Sequence, residues 1–367
     1  MQKIIFSILL VLFTLGSYSQ TFFDQNFDKN KRYVLLCDPT ISRIQTIRYL
    51  TENKIFKIPR NVEFVGVYFE EQHYDFAKTK QYLEENQLNN FHLQAVKGDL
   101  KAENLYEKNE ISGQLKKVFD HSVGVIFFGG PDIPPGIYGE ENTLSVVTDP
   151  ERHYYETTFL FQLLGGYQNE NFRPFLTERP DYLVTGFCLG MQTMNVATGG
   201  TLVQDIPAEL YRAETPEQKV KVSRENLHRN YWQELHDDSL LMGINLHPIQ
   251  FTENDFFGKA VKVKKNEKPK ILSAHHQAAE KIGKNMEVTA LSEDGKIVEG
   301  IVHKVYPNVF AVQFHPEVAA LYEDREALKF SPADEAQTYP AIIGKEGLRF
   351  HKAYWKHISK ALKQVKQ

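Results

Sequence analysis

The sequence predicts an α/β protein, a three-layer αβα sandwich around a mainly parallel, doubly wound sheet with an antiparallel extension near the C-terminus. Three observations carry that expectation. Apolar, β-rich runs alternate with charged, helix-spaced segments over the first half of the chain, the pattern of strands joined by crossover helices. Runs such as VGVIFF (123–128) are apolar at nearly every position, which suits strands buried on both faces. After Pro207 the helical stretches thin out and shorter strand-like runs follow one another, as in an antiparallel meander.

In chain order, strands are expected over 33–37 (YVLLC), 62–69 (VEFVGVYF), 91–96 and 123–128, separated by helices over 41–53, 74–86 and 103–120. A helix over 152–164 precedes a strand at 182–185 and a second helix over 189–198. A helix near 226–235 leads into strand-like runs at 249–251, 260–263, 287–290, 297–303 and 309–314. The basic piece 262–270 (KVKKNEKPK) reads as a solvated hairpin. Residues 321–343 form a polar insertion, irregular as far as 339, and an amphipathic helix closes the chain over 347–362.

The first twenty residues read differently. Lys3 precedes an apolar run from Ile4 to Leu15, and Ser17 and Ser19 are small residues at cleavage-site spacing. As a helix that run would span ~18 Å against a hydrocarbon core of ~30 Å. A signal peptide over 1–19 is therefore expected, with an exported, periplasmic or secreted protein and no stable membrane insertion after cleavage. The remainder, 20–367, reads as one domain.

Composition narrows the class. Hydrophobic residues make up 42% and aromatics 12%, enough for a packed core. A net charge of −4 supplies no excess of cations to displace phosphate counterions, so no nucleic-acid partner is expected. There are two cysteines, Cys37 and Cys188, too few for a disulfide framework. A single bond between them is conceivable but would consume the more interesting thiol.

Cys188 lies in G-F-C-L-G, where the strand YLVT ends and the helix LGMQTMNVAT begins. Glycines around a nucleophile on a tight strand-to-helix turn make an elbow that exposes its side chain. The positive end of the helix favours a thiolate, and the Leu189 N–H faces any oxyanion formed there. Free cysteine is also commonly a small buried hydrophobe, and the spacing alone balances the two readings. Cys37, without glycine flanks or a nearby base, reads as a buried structural thiol. Later, VFAVQF runs into His315-Pro316-Glu317. Residues two apart on an extended segment share a side, so Glu317 can orient His315, and His315 can serve a cysteine as base.

These residues carry a resemblance. G-F-C-L-G-M-Q with F-H-P-E resembles the class I glutamine amidotransferase superfamily, whose fold is flavodoxin-like. N-V-A-T-G-G-T-L-V-Q-D-I-P (195–207), G-G-P-D-I-P-P-G-I-Y-G-E (129–140) and S-A-H-H-Q (273–277) are similar to its γ-glutamyl-γ-aminobutyrate hydrolase and γ-glutamyl hydrolase type, peptidase C26-like. The likeness covers about 33–317 and the last helix. It implies a Cys188–His315–Glu317 triad, and an oxyanion hole from the N–H groups of Gly130 and Leu189. It also implies contacts to the glutamyl group from Gln192 and from a loop with Ser273, His275, His276 and Gln277. Asp149, Arg152 and Glu156 match an acidic-Arg-acidic helix motif, read here as structural. The chain departs from the pattern in carrying Leu189 where many relatives have arginine, and in its 321–343 insertion.

The implied activity is hydrolysis of γ-glutamyl amides or isopeptides through a γ-glutamyl thioester, with a small-molecule substrate and no cofactor. No metal site is expected, because neither a carboxylate nor a third histidine sits at ligand spacing from His275 and His276. The alternatives are a glutaminase subunit feeding ammonia to a synthase and a non-catalytic binding module. A homodimer is left open as a further partner state.

Overall fold

The computed structural model describes residues 21–25 and 27–365. The expected signal peptide, 1–19, lies outside them. Among the described residues no helix is long and apolar enough to cross a membrane.

Among the described residues twelve strands appear, in the order β1 (Arg32–Cys37), β2 (Val62–Phe69), β3 (Phe91–Val96), β4 (Gly124–Phe127), β5 (Leu183–Phe187), β6 (Leu202–Val203), β7 (Asn245–Phe251), β8 (Lys270–Ser273), β9 (Ala278–Ala279), β10 (Met286–Ser292), β11 (Val298–His303) and β12 (Val309–Val312). Ten of them form one sheet in the order β3-β2-β1-β4-β5-β12-β11-β10-β7-β8, and β6 and β9 pair separately. From β3 to β12 every pairing is parallel. From β12 through β11, β10 and β7 to β8 every pairing is antiparallel. The fold is thus α/β with the expected antiparallel extension.

The three layers follow from the two-residue period of a strand. In β1, Val34 and Leu36 point into a core shared with helix α1 (Ile41–Glu52), helix α2 (Phe76–Glu85) and the C-terminal helix (Tyr339–Gln364), including Phe350 and Trp355. Leu35 and Cys37 point the other way, against α3 (Ser112–Asp120), α4 (Pro150–Leu164) and α5 (Leu189–Ala197). Each large apolar side chain so enclosed stabilises the fold by roughly 2–3 kcal/mol relative to exposure. Cys37 is fully buried and, like Cys188, free of any disulfide.

Several local expectations are corrected. The helix expected over 103–120 is a 3-10 turn, Ala102–Asn104, and then α3. Between them Asn109 donates to the Asn104 carbonyl at 3.0 Å and Ser112 Oγ accepts from the Asn109 N–H at 2.9 Å. Such side-chain bonds compete with the helical ladder. The helix near 226–235 is two 3-10 turns, Arg224–Asn226 and Trp232–Glu234. Asn245 Nδ2 takes the carbonyls of Arg224 and Leu227 at 2.6 Å each, acceptors that a continuing helix would need. Residues 260–263 do not form a strand: Ala260 ends the short helix Phe256–Ala260 and 261–263 follow it, and 262–270 is a largely exposed connection into β8, not a hairpin. The C-terminal helix starts eight residues early, at Tyr339, and breaks at Gly344, where φ is 65°. The segment before it is irregular but tethered, with isolated bridges from Leu328 to Gln337 and from Lys329 to Leu241.

Candidate active site

The carboxyl ends of β1, β4, β5 and β12 converge on one crevice edge, where doubly wound sheets place their functional groups. Cys188 follows β5 as the residue before α5, with φ 52° and ψ −109°. A non-glycine residue at positive φ is strained, by roughly 1–3 kcal/mol, and persists only where its surroundings hold it. The glycines of G-F-C-L-G explain how. A Cβ on Gly186 would lie 2.6 Å from the carbonyl carbon of Gly190, and one on Gly190 would lie 2.4 Å from the Phe127 oxygen. Only bare backbone lets the elbow fold back over β4 and β5. The Cys188 N–H is anchored to the Val312 carbonyl of β12 at 2.9 Å. Contrary to the exposed thiol expected of an elbow, Cys188 is only 6% exposed. The Gly129 turn and His315 lie against it.

His315 follows β12 by three residues, and the segment is pinned by Trp355 Nε1 donating to the Pro316 carbonyl at 2.9 Å. His315 Nδ1 donates to Glu317 Oε1 at 2.7 Å, leaving Nε2 for the thiol. Burial pushes the imidazolium toward losing its proton. The Glu317 charge, the Cys188 charge and side-chain hydrogen bonds to both outweigh burial and hold its pKa well above the usual histidine value. The arrangement can therefore store a proton on His315 beside the Cys188 sulfur.

The turn after β4 supplies the second half of the site. The Gly129 carbonyl accepts from Arg43 Nη2 at 2.7 Å and Arg152 Nη2 at 3.1 Å. A planar trans peptide then aims the Gly130 N–H away from both guanidiniums. Arg152 is buried. Its Nε bonds Glu156 Oε1 at 2.9 Å, and its Nη1 lies 3.1 Å from Asp38 Oδ2, which also pairs with Arg43. A Cβ on Gly130 would meet Arg152 Nη1 at 2.1 Å, so that position too needs glycine. Arg152 and Glu156, read from sequence as structural, hold the turn next to Cys188. Asp149 caps α4, accepting from the Arg152 N–H at 3.3 Å. Arg43 and Asp38 were not singled out by sequence, since their only signal is a charged pair just past β1.

The expected glutamyl-binding residues are all engaged with protein. Gln192 Nε2 donates to the Gln277 carbonyl at 3.0 Å. Gln277 Nε2 donates to Ser145 Oγ at 2.8 Å and to the Gln204 carbonyl at 3.3 Å. Ser273 is fully buried, its Oγ 2.8 Å from His247 Nε2. His275 Nδ1 donates to the Gln277 carbonyl at 2.8 Å. A strap that sequence reading missed, residues 142–146, covers this side. Gln204 Oε1 accepts from the Thr143 and Leu144 N–H groups at 2.9 and 3.2 Å, and Asp132 Oδ2 accepts from the Val146 N–H at 2.7 Å.

His276 sits between two carboxylates, 3.0 Å from Asp132 and 3.1 Å from Asp205. Burial lowers its pKa, but the hydrogen bonds and charges of the two aspartates prevail and raise it to about 9. Its unfolded value is lower, so the stability it contributes is complete below about pH 6.5 and is lost as pH rises through about 9. Relative to His276→Gln, the wild type is expected to lose up to about 3 kcal/mol of unfolding free energy between those limits. Urea unfolding of both proteins at pH 6 and 9.5 measures it, and parallel losses would remove the imidazolium from the account.

The peptidase C26 family profile matches residues 64–317. The chain belongs to the peptidase C26 family. The glutamine amidotransferase-like protein RP404 of Rickettsia prowazekii is 25% identical over 229 residues, covering 58% of this chain and 75% of that one. Protein NtpR of Enterococcus hirae is 29% identical over 196 residues, covering 53% and 66%. A solved structure described as a GMP synthase component from Thermoplasma acidophilum aligns over 90% of this chain and 95% of its own, with 11% identity and a TM-score of 0.39. Family and relatives together make this peptidase C26 protein a glutamine amidotransferase-like, hydrolase-type enzyme.

Proposed function

We propose that this peptidase C26 protein hydrolyses γ-glutamyl amide or isopeptide bonds with Cys188 as nucleophile. The observation that carries the reading is the meeting of Cys188 and the His315 ring at the Gly129 turn, with His315 Nδ1 donating to Glu317 Oε1 at 2.7 Å. Cys188 thiolate attacks the γ-carbonyl carbon, and the electron pair of the C=O bond moves to oxygen. The Gly130 and Leu189 N–H groups face that oxyanion, and in acyl transfer one such donor is worth ~3 kcal/mol. His315 gives its proton to the nitrogen as the C–N bond breaks, leaving an amine and a γ-glutamyl thioester. It then takes a proton from water, which attacks the thioester and releases glutamate and the thiolate. The substrate is a small γ-glutamyl compound, and the segment 1–19 supports export of the enzyme.

The test is mass spectrometry of products from a mixed γ-glutamyl library incubated with the wild type. Release of free glutamate from γ-glutamyl amines or peptides faster than from glutamine supports the proposal. Turnover of glutamine alone supports an ammonia-supplying glutaminase, and no turnover of any member with Cys188 still alkylated by iodoacetamide supports a binding module. Either result overturns it.

Arg152 acts in this scheme as a positioning residue. Arg152→Lys keeps the charge but not the two-carbonyl grip on Phe128 and Gly129. We expect kcat to fall about 100-fold with KM and the Cys188 alkylation rate nearly unchanged. An equal loss in alkylation would mean that the elbow itself had moved.

A further inference from the structure

We propose a buried divalent-metal site of the zinc class, formed by His228, His247 and Glu299 beneath the 273–277 loop. His228 follows the Arg224–Asn226 turn, His247 lies in β7 and Glu299 in β11. One ligand atom of each lies within 4.8 Å of the others. His228 Nδ1 is 3.1 Å and His247 Nε2 3.8 Å from Glu299 Oε1. Donors around a tetrahedral ion with bonds of about 2.0–2.1 Å are separated by about 3.3 Å, so the two spacings to Glu299 need adjustments of about half an ångström, and the two imidazoles, within 4.8 Å of each other, close by at most about 1.5 Å.

The second observation is that two of the three members, His228 and Glu299, are unsatisfied. His228 and Glu299 are 2% and 0% exposed, yet among the described residues neither ring nitrogen of His228 nor either carboxylate oxygen of Glu299 has a hydrogen-bond partner. At 3.1 Å the pair is close without the alignment of a hydrogen bond. Buried polar groups so placed are costly unless something compensates them, and no lysine or arginine among the described residues is paired with Glu299.

The outer contacts also fit. His247 Nδ1 lies 3.0 Å from the Pro248 carbonyl. A carbonyl only accepts, so Nδ1 carries the hydrogen and the Nε2 lone pair accepts from Ser273 Oγ at 2.8 Å, with Glu299 Oε1 3.8 Å away; an ion at Nε2 takes over that lone pair and releases the Ser273 hydroxyl. A ligating imidazole is commonly fixed in this way by its other nitrogen. The neighbouring His275, its ring centre 4.8 Å from that of His228, is fixed similarly by the Gln277 carbonyl, and its Nε2 has no partner among the described residues. Water takes the fourth corner, with Ser273 Oγ and His275 Nε2 available to it. Two imidazoles and one carboxylate favour a zinc-type ion over magnesium or calcium, which prefer all-oxygen shells. Enclosed as it is, the ion ties the 224–231 segment to the antiparallel extension.

The site is tested on the full chain, stripped with dipicolinate and titrated with zinc sulfate alone. One zinc per chain, a raised Tm and, with cobalt in its place, the visible absorption of a tetrahedral ion are expected. Glu299→Gln preserves shape and should weaken zinc by more than the roughly 10–100-fold typical of an outer-contact change. Its own Tm without zinc, compared with that of the stripped wild type, shows that it folds. Failure of the stripped wild type to take up zinc, or uptake with no change in Tm, overturns the proposal. So does unchanged zinc affinity in Glu299→Gln, since the ion would then sit elsewhere, for instance at the cluster of exposed His73 with half-buried Asp149 and Glu151.

Discussion

Cys188→Ala is expected to lower kcat/KM for γ-glutamyl amides by at least about 10⁴-fold while the protein stays folded. The sulfur is the only heavy atom removed, and it forms no disulfide. The Cβ that packs toward the Gly129 turn remains, and the elbow is held by backbone, through the Cys188 N–H to Val312 and the close passage of Gly186 over Gly190. Circular dichroism and a thermal melt within a few degrees of wild type would accompany the loss, read by product mass spectrometry. Hydrolysis by the alanine variant at the wild-type rate would end the assignment of the nucleophile.

Glu317→Gln is expected to cut kcat by about 10³–10⁴-fold, as when the orienting carboxylate of a comparable triad becomes an amide. The carboxylate fixes the proton of His315 on Nδ1 at 2.7 Å and is, after the opposing effect of burial, the foremost cause of the raised His315 pKa. Its loss lowers that pKa, so the imidazolium beside the Cys188 sulfur is depleted at neutral pH. Iodoacetamide alkylation of Cys188 should slow at pH 7, because less imidazolium stands beside the sulfur. An alkylation profile superimposable on the wild type would show that Glu317 does not act through His315.

Much of this site could be read from local sequence because the local chain dictates it. G-F-C-L-G demands an elbow, since residues 186 and 190 must be glycine where backbones cross. His315 and Glu317 share a side because they stand two apart beyond a strand. The alternation of Val34 and Leu36 with Leu35 and Cys37 announces a sheet covered on both faces. The errors arose where side chains from distant segments override a local pattern, as Asn245 does when it takes the carbonyls of Arg224 and Leu227 and stops a helix from forming. The 273–277 loop also depends on distant segments. There the family resemblance implies ligand contact, which the contacts leave open, while only the fold sets Ser273 and Gln277 against His247, Ser145 and Gln204, partners 26 to 132 positions away.

The sequence by itself therefore determined the sandwich, the elbow and the His-Pro-Glu element, since each is written in residues close together and in the periodicity of strand and helix. Only the tertiary structure decided that Arg43 and Arg152 grip the Gly129 carbonyl, that the thiol lies nearly enclosed, and that His228, His247 and Glu299 meet. Those contacts join elements far apart in the chain, and their geometry comes from sheet order and packing, which no run of neighbouring residues encodes.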